Sequence, residues 1–192
     1  MKIYHHLDFA KLTNCYLIVN EITKKAVIID PCKISTELIN QIEKDNYDLV
    51  AVLVTHKHTT HYRGLKTLQK IYDFAVYAAD NELATETALL KDDGVKKIGG
   101  LNIEYFSVPG HSPDSIVYKI ENVLFTGDVI FAGTIGSSSC AYTKTYLSNG
   151  IKSKIFTLSD ELIIMPGHGP MTSIGAEKQF NLDLTTAPVN TL

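Results

Sequence analysis

Cysteine is scarce in this chain of 192 residues, and tryptophan is absent. The three cysteines, Cys15, Cys32 and Cys140, are odd in number and far apart. They form neither the disulfide framework of a small secreted domain nor a Cys-x-x-Cys pair of the kind that binds zinc. Because disulfides are typical of exported proteins, this cysteine usage favours a cytoplasmic protein in a reducing environment.

Long apolar runs and long basic runs are also missing. No stretch reaches the roughly 20 apolar residues that a membrane-spanning helix needs, and the first residues lack the apolar segment of a signal peptide. The formal net charge of -3 gives no indication of a nucleic-acid site. With 45% hydrophobic residues, the chain fits a single domain over 1–192 with a large core.

Apolar and alternating runs predict a mixture of strands and helices. The predicted strands cover residues 2–7, 14–20, 25–30, 49–54, 75–79, 101–108, 115–121, 123–131 and 162–165. The predicted helices begin at Ser35 or Thr36, cover 62–72, run from Asp80 or Asn81 to about Lys91, cover 146–158, and begin again near Ile174. Because each half gives strands and then helices, we expect an α/β (α+β) fold, a four-layer αββα sandwich.

Three of the seven histidines, His56, His58 and His61, fall within six residues directly after the apolar strand 49–54. Open α/β sheets bind ligands in the loops at the carboxyl ends of their strands. Histidine is the commonest metal ligand, because its neutral ring nitrogen can coordinate without first losing a charge. The stretch therefore indicates a metal site.

Three more candidate ligands occupy the same kind of position. His111 and His168 each follow an apolar strand in a Pro-Gly-His turn, and Asp128 ends another strand. Six such ligands can serve two ions if one carboxylate bridges them. His5 and His6 lack this setting and are interpreted as surface or satisfied core residues.

Asp30, directly before a proline, has two interpretations that the sequence does not separate. It is either a plain turn residue or a carboxylate that accepts a hydrogen bond from a ligand histidine and orients it.

Four motifs in order, Thr-His-x-His-x-x-His-x-x-Gly, Pro-Gly-His-Ser-Pro, Thr-Gly-Asp and Pro-Gly-His-Gly-Pro, resemble the metallo-β-lactamase superfamily, and glyoxalase II-like (hydroxyacylglutathione hydrolase-like) members in particular. The resemblance implies an αββα sandwich. It also implies a first ion on His56, His58 and His111, a second on His61 and His168, and a bridging Asp128. The family's ions are zinc, iron or manganese, and they generate a hydroxide nucleophile from bound water. Zinc is our first expectation, although His/Asp ligation suits all three metals.

The chain departs from the family motif His-x-His-x-Asp-His at Thr60, which stands in the place of the aspartate. That aspartate binds the second ion and the nucleophilic water in the family. A threonine hydroxyl is a neutral and poor ligand, so we expect one tightly bound ion and a second that is weak or absent. As a further hypothesis, Asp114 supplies a displaced carboxylate near the second ion, against the alternative of an exposed turn residue.

Three functions follow as hypotheses, each with a small molecule as the partner. The first is a metal-dependent hydrolase of an ester, thioester or lactone that uses a metal-bound hydroxide. The second is a degenerate metal-binding member with little or no activity. The third is a mononuclear iron oxidoreductase of the persulfide dioxygenase type, with His56, His111 and Asp128 as ligands. We expect no C-terminal glutathione-binding helical domain, and the oligomeric state stays open.

Overall fold

The structure, a computed structural model, describes residues 1–185. Its strands are β1 Lys2–Asp8, β2 Thr13–Val19, β3 Lys25–Ile29, β4 Asp48–Leu53, β5 Ala75–Tyr77, β6 Gly94–Ile98, β7 Leu101–Ser107, β8 Ile116–Ile120, β9 Val123–Gly127, β10 Ile130–Phe131, β11 Thr134–Ile135, β12 Ile163–Pro166 and β13 Thr172–Ser173. Its helices are α1 Thr36–Lys44, α2 Thr59–Tyr62, α3 Leu65–Leu68, α4 Ala141–Gly150, α5 Ile174–Phe180 and α6 Leu182–Thr185, with a π-helical turn Ile151–Ile155 after α4. None of these helices is long and apolar enough to cross a bilayer.

Two mixed sheets form the centre of the molecule. The first has the order β1-β2-β3-β4-β5, with β3, β4 and β5 parallel and the first two pairs antiparallel. The second has the order β13-β12-β9-β8-β7-β6, in which only β12 and β9, among the pairs described, run parallel. Strands β10 and β11 form a small separate hairpin.

Alternation along β2 shows how the layers are built. Tyr16 and Ile18 point to the apolar layer between the two sheets, while Leu17 and Val19 pack with α1 and α3 on the outer face. A third apolar layer joins the other face of the second sheet to α4, the π-helical turn and α5. Side chains of one strand face opposite sides, so a strand buried on both faces reads as continuously apolar. The predicted αββα sandwich is confirmed.

The helix predicted from Asp80 or Asn81 to about Lys91 is wrong. The Asp80 carboxylate accepts hydrogen bonds from the backbone N–H groups of Glu82 and Leu83, which closes a single turn. The chain then follows the edge of β5, where Leu90 N–H donates to the carbonyl of Ala78. An aspartate that begins a turn looks the same in sequence as one that caps a helix, because both use the side chain as an acceptor.

Strand β6 was not predicted, although its turn carries a recognisable signal. Gly99 and Gly100 link β6 to β7 with φ angles of 59° and 83°, and Ile98 pairs with Leu101 across them. Two glycines at positive φ form the two-residue hairpin turn that matches strand twist. The sequence lacks a clear strand pattern here, because Lys96 and Lys97 are both exposed at the sheet edge.

Other predicted elements exist but are divided or displaced. The helix 62–72 is two short helices, α2 and α3, separated at Gly64, and α2 begins early enough to include His61. The strand 123–131 is divided into β9 and β10 by a turn at Gly127, whose φ is 50°. The helix 146–158 begins earlier, at Ala141, and ends in the π-helical turn. The segment 133–139, for which no strand or helix was predicted, contains the short strand β11.

Candidate metal centre

The six predicted ligands converge at one edge of the sandwich. His56 and His58 follow β4 and His61 lies in α2, so the first sheet supplies three of them. The second sheet supplies the others from the ends of β7, β9 and β12: His111, Asp128 and His168. Two groups result, His56–His58–His111–Asp128 and His61–Asp128–His168, and within each group the ligand atoms lie within 4.8 Å of one another. Asp128 belongs to both groups.

The first group brings three ring nitrogens to one point. His58 Nδ1 lies 2.9 Å from His56 Nε2 and 3.0 Å from His111 Nε2. Asp128 Oδ2 lies 3.9 Å from His56 Nε2 and 3.6 Å from His111 Nε2. Nitrogens bound tetrahedrally to one zinc ion stand about 3.3 Å apart. The spacing of these donors therefore suits a single ion.

The second group is smaller and contains two buried atoms without hydrogen bonds. His61 Nε2 and Asp128 Oδ1 face each other at 3.3 Å, and neither has a hydrogen-bond partner among residues 1–185. His168 Nε2 lies 3.7 Å from Asp128 Oδ2. Buried polar atoms are nearly always paired, so two facing atoms without hydrogen bonds, next to His168 Nε2, fit a cation.

Asp30 is placed directly behind the histidines, with a left-handed φ of 50° and 2% exposure. Its Oδ2 accepts hydrogen bonds from His61 Nδ1 at 2.8 Å and from Thr55 Oγ1 at 2.7 Å. Thr55 Oγ1 in turn lies 3.0 Å from His56 Nδ1. Because Thr55 Oγ1 donates its hydrogen to Asp30, it accepts a hydrogen bond from His56 Nδ1. Nδ1 is therefore the donor in both His56 and His61, and Nε2 of each ring faces the centre.

Backbone carbonyls fix two of the other rings in the same way. His111 Nδ1 donates to the carbonyl of Ser137 and His168 Nδ1 to that of Leu12, each at 2.8 Å. With Nδ1 protonated, Nε2 of each ring is left as the lone-pair atom that faces Asp128. The hydrogen bonds outside the centre therefore select the tautomer that can bind a metal.

The charges of the ligand side chains differ between the two groups. Burial, with His61 nearby, lowers the pKa of His56 to about 2, and burial with His111 lowers that of His58. Burial also acts to lower the pKa of His61, but Asp30 and Asp128 outweigh it and raise that pKa to about 10. Burial acts to raise the pKa of Asp128, but its contact with His61 lowers it to about 2. His56 and His58 of the first group thus offer neutral imidazoles beside an ionised carboxylate.

Asp114 belongs to neither group of ligands. Its Oδ2 accepts the backbone N–H of Lys57 at 2.7 Å, and its Oδ1 accepts the hydroxyl of Ser112. Both oxygens are thus engaged between the His111 loop and the loop of His56 and His58. The hypothesis of a displaced ligand carboxylate is not what the geometry shows, since the side chain connects two ligand loops instead.

Thr60 is half-buried in the single turn of α2, one residue before His61. It brings no carboxylate, so the second group has three ligand residues where the first has four. His5 and His6 lie outside both groups. His5 is exposed, with its Nε2 hydrogen-bonded to Asn14 Oδ1 at 2.8 Å, which fits the interpretation as a surface residue, whereas His6 Nε2 is buried without a hydrogen-bond partner among residues 1–185.

Two residues of the centre were missed in the sequence, Asn14 and Gly167. Asn14 Nδ2 donates to the carbonyls of Pro166 and Gly169, both at 2.9 Å, which attaches β2 to the His168 loop. A Cβ at Gly167 would lie 2.5 Å from Asp128 Oδ1, so only glycine fits there. Gly167 carried a signal, since it lies within a Pro-Gly-His motif, but no sequence pattern connects Asn14 to a residue 152 positions away.

An αββα sandwich with a shared aspartate between two histidine groups at its edge defines a class of metal-binding proteins, many of them hydrolases. This chain belongs to that class through the metallo-beta-lactamase superfamily, whose sequence profile matches residues 9–168.

Relatives of known sequence or structure agree with this assignment. The chain is 32% identical to the hydroxyacylglutathione hydrolase GloC of Haemophilus influenzae, over 88% of this chain and 91% of that protein. It is 30% identical to the B3 metallo-beta-lactamase BLEG-1, with a TM-score of 0.86 over 96% of this chain and all of that one. It is 27% identical to ETHE1 from Myxococcus xanthus, with a TM-score of 0.84 over 95% and 84%.

Proposed function

We propose that the protein is a metal-dependent hydrolase of a small ester, thioester or lactone. The observation that carries this proposal is the convergence of five histidines and Asp128 at one edge of the sandwich, where His61 Nε2 and Asp128 Oδ1 are buried and have no hydrogen-bond partner among residues 1–185. The likeness to a hydroxyacylglutathione hydrolase supports a thioester as one substrate class. A bound ion would lower the pKa of a water molecule and polarise the substrate carbonyl.

The residues of the chain would divide the work as follows. His56, His58, His111 and Asp128 would hold the first ion, and His61, His168 and the shared Asp128 the second. Asp30 orients His61 directly and His56 through Thr55, because Nδ1 of each ring is engaged in this hydrogen-bonded chain and Nε2 faces inward. We propose zinc as the ion, with iron and manganese as alternatives, because imidazole and carboxylate ligands suit all three.

Thr60 supports unequal occupancy of the two groups. The second group lacks the carboxylate that the family motif supplies and keeps three ligand residues, one of them shared. A site with less negative charge and fewer ligands binds a divalent ion less tightly. We therefore propose one tightly held ion and a second that is weak or absent.

The proposal is tested by preparing the full chain metal-free and adding zinc, iron or manganese in turn. Hydrolysis of an acyl thioester is then followed by release of the thiol. We expect thioester hydrolysis that needs the metal and is lost in His56→Ala and His111→Ala. A correctly folded, metal-loaded protein that hydrolyses no ester, thioester or lactone of a broad panel would contradict the proposal. That result would favour the hypothesis of a degenerate metal-binding member.

A second candidate is the mononuclear iron oxidoreductase of the persulfide dioxygenase type. It is favoured by the first group, where His56, His111 and Asp128 meet without help from Thr60, and by the structural likeness to ETHE1. Two histidines and a carboxylate with open positions are typical of such iron sites. Oxygen uptake by the iron-loaded protein with a persulfide, without thioester hydrolysis, would decide for this candidate.

A further inference from the structure

A cavity of about 470 Å³ adjoins the second ligand group on the side of the β1–β2 hairpin. It lies within the usual size range of small-molecule sites. Its lining consists of the hairpin and the last ligand loop: His5, Leu7, Lys11, Leu12, Asn14, His168 and Gly169. Since His168 belongs both to the cavity wall and to the second group, the cavity lies directly beside the metal centre.

The wall of this cavity is held in place by the centre itself. Leu12 has a φ of 52°, a left-handed conformation that is costly for a leucine, and its carbonyl accepts the hydrogen bond of His168. Asn14 N–H donates to the carbonyl of Gly167 at 2.8 Å. A strained residue that persists because surrounding contacts fix it is typical of functional sites.

The chemistry of the lining is apolar with one cation. Leu7 and Leu12 are 36% and 61% exposed, so their side chains offer apolar surface that nothing in residues 1–185 covers. The Asn14 side chain donates hydrogen bonds to two carbonyls and accepts one from His5 Nε2. Its polar atoms are therefore engaged within the protein. Lys11 forms no ion pair with any of the described residues, so its ammonium group is available to an anionic ligand.

We propose that this cavity binds a short apolar chain ending in a carboxylate, as part of the substrate. The apolar chain would lie against Leu7 and Leu12, and the carboxylate would pair with Lys11. This inference rests on the proposed hydrolase function, because it gives the substrate class of the same centre. The chain would be either the acyl group or the leaving thiol, since both flank the carbonyl that faces the metal.

The experiment compares matched thioesters with the zinc-loaded full chain. In the acyl arm, glutaryl and pentanoyl thioesters of N-acetylcysteamine differ only in the terminal carboxylate. In the thiol arm, acetyl thioesters of 4-mercaptobutyrate and 1-butanethiol differ in the same way. We expect a higher kcat/KM for the anionic member of one arm. Lys11→Met should lower that preference about fivefold, which is the size of an exposed ion pair.

Two variants act as controls. Lys70→Met removes an exposed lysine outside the cavity and should leave the preference unchanged. Leu12→Ala should lower kcat/KM for both members of the preferred arm about equally, because it removes apolar contact and no charge. Equal rates for both members of both arms, or a preference that Lys11→Met leaves intact, would overturn the inference.

Binding separates this inference from the proposed function. The amide analogues of the same four compounds are not hydrolysed readily, and calorimetry measures their dissociation constants. If no thioester is turned over but an anionic amide binds more tightly in a Lys11-dependent way, the hydrolase proposal fails and the cavity assignment stands. If thioesters are hydrolysed without any anionic preference in turnover or binding, the hydrolase proposal stands and the cavity assignment fails.

Discussion

Thr60, a neutral side chain directly before the ligand His61, is the residue on which the proposal of one tightly held ion depends. If a missing carboxylate weakens metal binding by the second group, Thr60→Asp should strengthen that binding. We expect the dialysed variant to retain about two zinc ions per chain where the wild type retains about one. Metal analysis by inductively coupled plasma mass spectrometry gives the stoichiometry.

The neighbouring Thr59 provides the matched control for this change. Thr59 is exposed and also lies in α2, so Thr59→Asp adds the same charge without the same position. It should leave the zinc content unchanged. Two tightly held ions in the wild type would show instead that three ligand residues suffice for the second group.

Asp114 gives a second prediction at this scale, as a positioning residue for the first group. Asp114→Ala removes the acceptor of Lys57 N–H and of the Ser112 hydroxyl, which connect the two ligand loops. We expect zinc affinity at the first group to fall about tenfold, as for other residues that support ligands. Asp114→Asn keeps one carbonyl acceptor and should retain most of the affinity. Unchanged affinity in the alanine variant, measured by chelator competition, would contradict this role.

At the scale of elements, close packing explains why a glycine, Gly64, stands between α2 and α3. A Cβ there would lie 2.6 Å from the carbonyl oxygen of Pro31 and 2.7 Å from Cδ1 of Ile34. We expect Gly64→Ala to lower the free energy of unfolding by about 1–3 kcal/mol, because the contact forces the backbone to shift. Urea unfolding measures this change.

Gly150 is the control for this substitution. At the end of α4, a Cβ would meet a single methyl group of Val108 at 3.1 Å, which can give way. Alanine is also the better helix former. Gly150→Ala should therefore change stability little, and a loss as large as that of Gly64→Ala would mean that contact distance does not explain the effect.

The elements also show how far the sequence could lead. Buried strands such as β2 and β4 were predicted closely, because burial on both faces makes them continuously apolar. The edge strand β6 and the turn at Asp80 were not, because exposed lysines and a capping aspartate occur in several kinds of structure. Local sequence patterns thus predict buried strands, but they do not predict edge strands and turns that depend on contacts with neighbouring segments.

The candidate site was predictable for a related reason. Its ligands follow apolar strands, and strand ends are visible in the sequence, so His56, Asp128 and the others could be selected without knowing the topology. The role of Asp114 could not be selected, because the contact with Lys57 joins residues 57 positions apart. Such supporting contacts depend on how the two sheets meet.

At the scale of the whole molecule, the metal centre connects the two sheets. Three ligands come from the first sheet and three from the second, so an ion bound by both resists their separation. Free zinc at about 100 times its dissociation constant should stabilise the fold by about 2.7 kcal/mol. Thermal unfolding with zinc and with a chelator measures this difference.

His56→Ala and His5→Ala form a matched pair for this test. His56 belongs to the first group, so its loss should abolish most of the stabilisation by zinc. His5 lies outside both groups, and His5→Ala should keep the zinc-dependent shift in melting temperature. A wild-type chain whose melting temperature ignores zinc would show that the ion does not hold the sheets together.

The hydrogen bond from His168 to the carbonyl of Leu12 has a consequence for biosynthesis. It joins residues 156 positions apart, and the ligand that it orients is the last of the six to leave the ribosome. Since domains fold as their chain emerges, the N-terminal hairpin lacks this contact until the chain has been made as far as His168. The nascent chain therefore completes its first ligand group well before its second, and metal loading during translation would follow that order.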